Sequence, residues 1–206
     1  EVTRIDTSWS GAFNSFALSR DGRRMAVGNN TSGGGLSIYL KQLDRGAFTR
    51  LSFGGQDRRP TWSPDGSTIA FIRDSLNGGG VYGIATDGSG GERVLARISR
   101  PIQEVVWSPD GEWLVVRTDN GTAGAGDLVA LRTSDPATEV PLAASKFTEM
   151  HPAISPDGRW LAYISDETGA NEVYVRPFPS PTGGRWQVSN GGGTSPAWSP
   201  DGRELF

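Results

Sequence analysis

The chain contains no cysteine, one histidine and two lysines among its 206 residues. Without cysteine there are no disulfides, thiolate zinc sites, iron–sulfur clusters or cysteine nucleophiles. A cysteine-free composition suits an extracytoplasmic bacterial protein, and that location is expected. No apolar run approaches the roughly 20 residues that a membrane span needs, so no membrane insertion by this segment is expected. A surplus of one charge is also missing: Lys plus Arg is 20 and Asp plus Glu is 23, a net −3. That balance argues against a nucleic-acid partner held by bulk charge. No stretch of ten or more residues carries a convincing apolar stripe at the helical period.

What is present is punctuation. The 29 glycines and 13 prolines alternate with short apolar segments such as 67–73, 112–117, 160–165 and 172–176. Short strands between regular turn signals indicate an all-β fold, as sandwich, barrel or propeller. The length corresponds to one ordinary domain or two small ones. It is long enough to bury roughly 70% of the extended-chain surface.

One repeat decides among these architectures. Trp62-Ser63-Pro64-Asp65-Gly66 returns as Trp107-Ser108-Pro109-Asp110-Gly111, as Ile154-Ser155-Pro156-Asp157-Gly158 and as Trp198-Ser199-Pro200-Asp201-Gly202. Leu18-Ser19-Arg20-Asp21-Gly22 is a weaker first copy, with arginine in place of proline. The five aspartates are 44, 45, 47 and 44 residues apart. A period in the mid-forties with four strands per unit marks a propeller blade. Proline presets φ for the turn, aspartate follows, and glycine takes the positive φ at the exit. The turns at 19–22, 63–66, 108–111, 155–158 and 199–202 therefore join the first and second strands of successive blades. In this reading the Asp-Gly pairs are structural.

The sequence thus predicts a β-propeller of four-stranded antiparallel blades, about four complete, with partial blades at both ends. In the second copy the strands fall near 60–63, 68–73, 81–86 and 93–96. Further third strands are expected at 36–40, 127–131 and 172–176, and further fourth strands at 49–52, 139–142 and 185–188. The glycine clusters 33–35, 78–80 and 191–193 read as loops. Residues 1–206 are expected to be one propeller domain or a piece of a longer one. Glu1–Asp6 reads as an outer strand and Ser195–Phe206 as inner strands, complementary deficits that also suit head-to-tail self-association.

The repeats resemble those of TolB-like, WD-repeat-like bacterial β-propellers. The similarity is densest from Ser155-Pro156-Asp157-Gly158-Arg159-Trp160-Leu161-Ala162-Tyr163 through 171–179 to Gly191-Gly192-Gly193-Thr194. This stretch is similar to the propellers that bacterial serine/threonine protein kinases and related surface proteins carry after a membrane segment. The resemblance implies the fold; propellers host many unrelated activities.

The residues offer little for catalysis. His151 precedes Pro152 at the start of a first strand, and no serine sits in a Gly-x-Ser-x-Gly elbow. Neither Lys41 nor Lys146 follows a phosphate-binding glycine loop. No Asp-x-Asp pattern suggests calcium, and zinc would need more histidine or cysteine. No catalytic residue, metal ligand or cofactor is assigned. One set of residues does suggest a site. The residue three places before each repeat's large apolar residue is Ser15, Arg59, Glu104, His151 and Ser195 in turn. First strands of a propeller surround its channel, so these side chains are expected near one channel mouth, as a polar funnel for a ligand, peptide or protein. The leading expectation is a non-enzymatic binding or assembly module. Alternatives are the non-catalytic gating propeller of a prolyl-oligopeptidase-like serine peptidase and a polymerising structural subunit.

Overall fold

The computed structural model describes residues 12–30, 33–44, 46–75, 78–119, 121 and 126–206. The expected outer strand Glu1–Asp6 lies outside them. The chain divides into two compact units, Glu1–Arg97 and Ile98–Phe206.

The first unit carries two antiparallel sheets. One runs β1 (Phe13–Leu18), β2 (Arg24–Asn30), β3 (Leu36–Gln42) and β4 (Phe48–Arg50) in chain order. The next runs β5 (Asp57–Trp62), β6 (Thr68–Ser75), β7 (Gly78–Ala85) and β8 (Arg93–Ile98) in the same way. The second unit repeats the pattern. Its sheets are β9 (Ile102–Trp107), β10 (Trp113–Asp119), β11 (Gly126–Arg132) and β12 (Asp135–Ala143), then β13 (Glu149–Ile154), β14 (Trp160–Ser165), β15 (Glu172–Pro177) and β16 (Trp186–Gln187). A bridge between Trp198 and Leu205 starts a fifth turn-linked pair. The one helical element among the described residues is a single 3₁₀ turn at Pro181–Gly183. Each four-stranded meander is a propeller blade.

The repeat motif makes the same turn five times. At the second copy the Ser63 hydroxyl donates to Asp65 Oδ1 at 2.6 Å, and Ser63 Oγ accepts the Thr68 N–H at 2.9 Å. Gly66 closes the turn at φ 69°. The first copy makes the same bonds, from Ser19 to Asp21 and from Arg24 N–H to Ser19 Oγ, although arginine replaces proline. The turn therefore depends on Ser, Asp and Gly more than on proline.

One expectation needs correction. Residues 78–80 are not a loop: they pair with Ser75, Asp74 and Arg73 as the start of β7. Gly80 leaves room there for the Tyr82 ring, whose Cε2 would lie 2.7 Å from any Cβ at that position. Gly35 answers a closer approach. The Gly55 carbonyl oxygen would lie 2.7 Å from a Cβ on residue 35, and it accepts the Leu36 N–H at 2.8 Å.

Cores form where blades meet inside a unit. In the first unit Ala26, Ile38, Leu40 and Leu51 of one blade pack with Ile69, Phe71 and Ile84 of the next. In the second, Val115, Leu128, Ala130 and Leu142 meet Leu161, Tyr163, Tyr174 and Phe178. Inside each unit the first blade buries one sheet face against the second, which is why alternate strand residues are apolar. The repeat tryptophans tie these faces together. Trp62 Nε1–H donates to the Ala17 carbonyl at 2.9 Å, and Trp198 Nε1–H to the Ala153 carbonyl at 3.0 Å. Trp107 is half-buried, and its buried indole N–H has no acceptor among the described residues.

Candidate functional site

Four of the third-position residues, Ser15, Arg59, Glu104 and His151, stand at or beside irregularities in the first strands, and Ser195 precedes the Trp198–Leu205 bridge. The pairing of β1 with β2 shifts between Phe13 and Ser15, that of β5 with β6 between Arg58 and Thr61, and that of β13 with β14 between Met150 and Ala153. Proline explains two of these bulges. Pro60 and Pro152 bring no N–H to the ladder, so the residue before each is released from it. Arg59, His151 and Ser195 all precede proline, and all are left-handed, at φ 51°, 52° and 54°. They are the only non-glycine residues at positive φ among those described. Such a conformation costs about 1–3 kcal/mol and persists where surrounding contacts impose it.

Those contacts come from the preceding blade. In the first unit the Arg59 N–H donates to Ser15 Oγ at 3.1 Å. In the second unit the His151 N–H donates to Glu104 Oε2 at 2.8 Å. Both of these left-handed N–H groups thus meet a side-chain oxygen of the residue occupying their own position one blade earlier. Glu104 is buried, and its Oε1 lies 3.7 Å from His151 Nε2 and 3.8 Å from the Arg117 guanidinium. Arg59 and Ser195 are exposed, as is the His151 side chain at 42%.

The sequence set therefore divides by task. Ser15 and Glu104 hold the backbone of the next blade, while Arg59, His151 and Ser195 present side chains to solvent. The spacing alone did not bring in Arg117, which reaches Glu104 from β10 opposite it; cross-strand register identifies it. It also missed Glu149 and Glu172, both buried acids. Glu149 Oε1 accepts the Ser145 hydroxyl at 2.6 Å, and burial beside Asp127 and Asp166 pushes its carboxyl up. Glu172 accepts the Ser189 hydroxyl and the Gly191 and Gly192 N–H groups, which hold its carboxyl down. Asp57, fully buried, is matched by Arg73, which also meets Glu92 at 2.6 Å. Glu172 and Asp57 are satisfied by scaffold groups, whereas Glu149 Oε2 is buried without a hydrogen-bond partner among the described residues. No group of three or more His, Asp or Glu suited to a metal exists among the described residues. No helix among them is long and apolar enough to cross a membrane.

Away from these residues, a concave feature lies in the second unit. Trp160, Trp186 and Trp198 with Val175, Val188 and Leu205 line a cleft of about 470 Å³. The Trp160 and Trp186 rings meet edge to face at 5.8 Å.

With this geometry in view, the likeness to known proteins is one of fold. The chain superposes on TolB from Acinetobacter baumannii with a TM-score of 0.76 at 20% identity, covering 95% of this chain and 48% of that one. The fold is a TolB-like, WD-repeat-like β-propeller. A WD-type propeller domain, Cps50 (Swd1) of Myceliophteria thermophila, gives a TM-score of 0.73 at 15% identity over 98% of this chain and 63% of that one. An uncharacterized peptidase of Bacillus subtilis, YuxL, is 28% identical over 172 residues, 66% of this chain. The propeller spans about a quarter of that relative's length, at 26%. No protein-family model matches the chain.

Proposed function

We propose that this propeller is a non-enzymatic binding module that engages a peptide, protein or small ligand through the third-position residues of its first strands. The observation that carries this reading is the left-handed geometry of Arg59 and His151. Backbone strain held by a neighbour's side chain concentrates at recognition sites, where fixed geometry lowers the ordering cost of binding. Hydrogen–deuterium exchange with and without a mixed pool of N-acetylated hexapeptides tests it. Protection at residues 13–17, 57–61, 102–106 and 149–153 is expected. Protection confined to the tryptophan cleft, or none at all, refutes it.

A gating role in a serine peptidase is the second reading, supported by the likeness to YuxL. An extracytoplasmic location belongs to the proposal, resting on the cysteine-free composition and on repeats resembling those of bacterial surface propellers. Head-to-tail self-association is proposed on exposed apolar side chains: Phe16 at 70% exposure on β1, and Trp186 at 49% on β16. Light scattering decides that point. If deleting residues 1–6 leaves the scattering mass unchanged, the proposed assembly is wrong.

A further inference from the structure

The blade step ending at Trp198 in the second unit repeats the register of the step ending at Trp62 in the first, but its third position differs in chemistry. The indole bond from Trp198 to Ala153 repeats the bond from Trp62 to Ala17, both across 45 residues. Arg59 takes its acceptor from Ser15, 44 residues earlier. The residue 44 before Ser195 is His151. Ser195 has the same left-handed φ as Arg59 and His151, and by the repeat the counterpart of its N–H is the third position of the fourth blade. Ser15 and Glu104 offer oxygen atoms at that place; the side chain of His151 has none. No group among the described residues accepts the Ser195 N–H.

The geometry points to a carboxylate-binding site made by the Ser195 N–H, the Ser195 hydroxyl and the His151 imidazole. This rests on the binding reading above and names its ligand class: a peptide C-terminus or an acidic side chain. The preceding step shows what fits. There a carboxylate, that of Glu104, takes the left-handed N–H at 2.8 Å and leaves its second oxygen 3.7 Å from the imidazole of the same residue. A ligand carboxylate at Ser195 occupies the corresponding place, with hydroxyl and imidazole as further donors. The nearby negative charge of Glu104 is balanced by Arg117 at 3.8 Å.

The test uses the whole chain and two small probes, N-acetylglycine and N-acetylglycinamide, followed by amide shifts in ¹⁵N–¹H spectra. N-acetylglycine should shift the Ser195 and His151 amides saturably, and its amide should not. His151→Glu supplies the missing oxygen from within the chain and should weaken N-acetylglycine binding about tenfold or more, the scale of one hydrogen bond to a charged group. His151→Gln, a neutral acceptor of similar reach, should weaken it too and serves if the charged variant does not fold. An unaltered Trp198 indole resonance reports that the fold persists. Equal response to both probes overturns the carboxylate assignment while leaving ligand binding at the third positions standing. Shifts that never saturate, shifts elsewhere only, or undiminished binding by both variants overturn the site itself.

Discussion

Each Ser-x-Asp-Gly turn is a self-contained circuit, and its aspartate carries a measurable signature. The Ser63 hydroxyl, then the Ser67 N–H and hydroxyl, hold the Asp65 carboxyl down at about 2. Asp157 sits at about 2 through Ser155 and Arg159. A carboxyl lowered by folding adds stability above its ordinary value of 3.8, and that stability is lost as pH falls toward about 2. Urea midpoints measured between pH 4 and 2 should therefore fall less steeply for Asp65→Asn than for the parent chain. Glu149 works in the opposite sense. Its carboxyl is raised by burial and by Asp127 and Asp166, so the folded chain favours the neutral form. The associated stability is present below 4.5 and lost as pH rises through the raised value. Glu149→Gln should gain thermal midpoint relative to the parent at pH 7 and gain little at pH 4. No difference between the two pH values would mean that the side chain is solvated. The turn residues were legible in the sequence because their bonds close within five residues. Glu149 was not, because its neighbours come from β11 and from the residue after β14.

At the scale of elements, the strands followed from alternation, and their ends did not. The sequence places strand six at 68–73; pairing with glycines 78–80 extends it to Ser75. Glycine reads as a loop signal in one dimension, whereas here its missing side chain lets a neighbouring ring or carbonyl come close. Gly35→Ala tests that directly. The intruding methyl meets the Gly55 carbonyl, a backbone atom that cannot swing aside, so a loss of about 1–3 kcal/mol is expected in chemical denaturation. The repeat tryptophans make a graded series. Trp62→Ala and Trp107→Ala should each cost about 3–5 kcal/mol as large aromatics removed from packing. Trp62→Phe should cost roughly 1 kcal/mol more than Trp107→Phe, because only Trp62 gives up a made hydrogen bond. Equal losses from the two phenylalanine variants would contradict the bonding pattern.

For the whole molecule, the two-blade units each have a core of their own, one around Ile38 and Phe71, the other around Leu128 and Tyr163. Repeat proteins are stabilised mainly by nearest-neighbour contacts. A chain of residues 98–206 alone should therefore melt cooperatively by circular dichroism, and a featureless melt would show that two blades are too few. The sequence by itself determined the blade, its period and its turns, since Ser, Asp and Gly within five residues close each turn and apolar alternation marks each strand. Even the third-position set was found by counting back from the repeat. Only the tertiary structure decided what those residues do. The left-handed φ of Arg59 and His151 arises when proline frees a backbone N–H, and an oxygen lying 44 or 47 residues earlier in the chain captures it. Local preference opposes that conformation for a non-glycine residue. At Arg59 and His151 an oxygen of the neighbouring blade holds the N–H in place, and no local pattern encodes that contact.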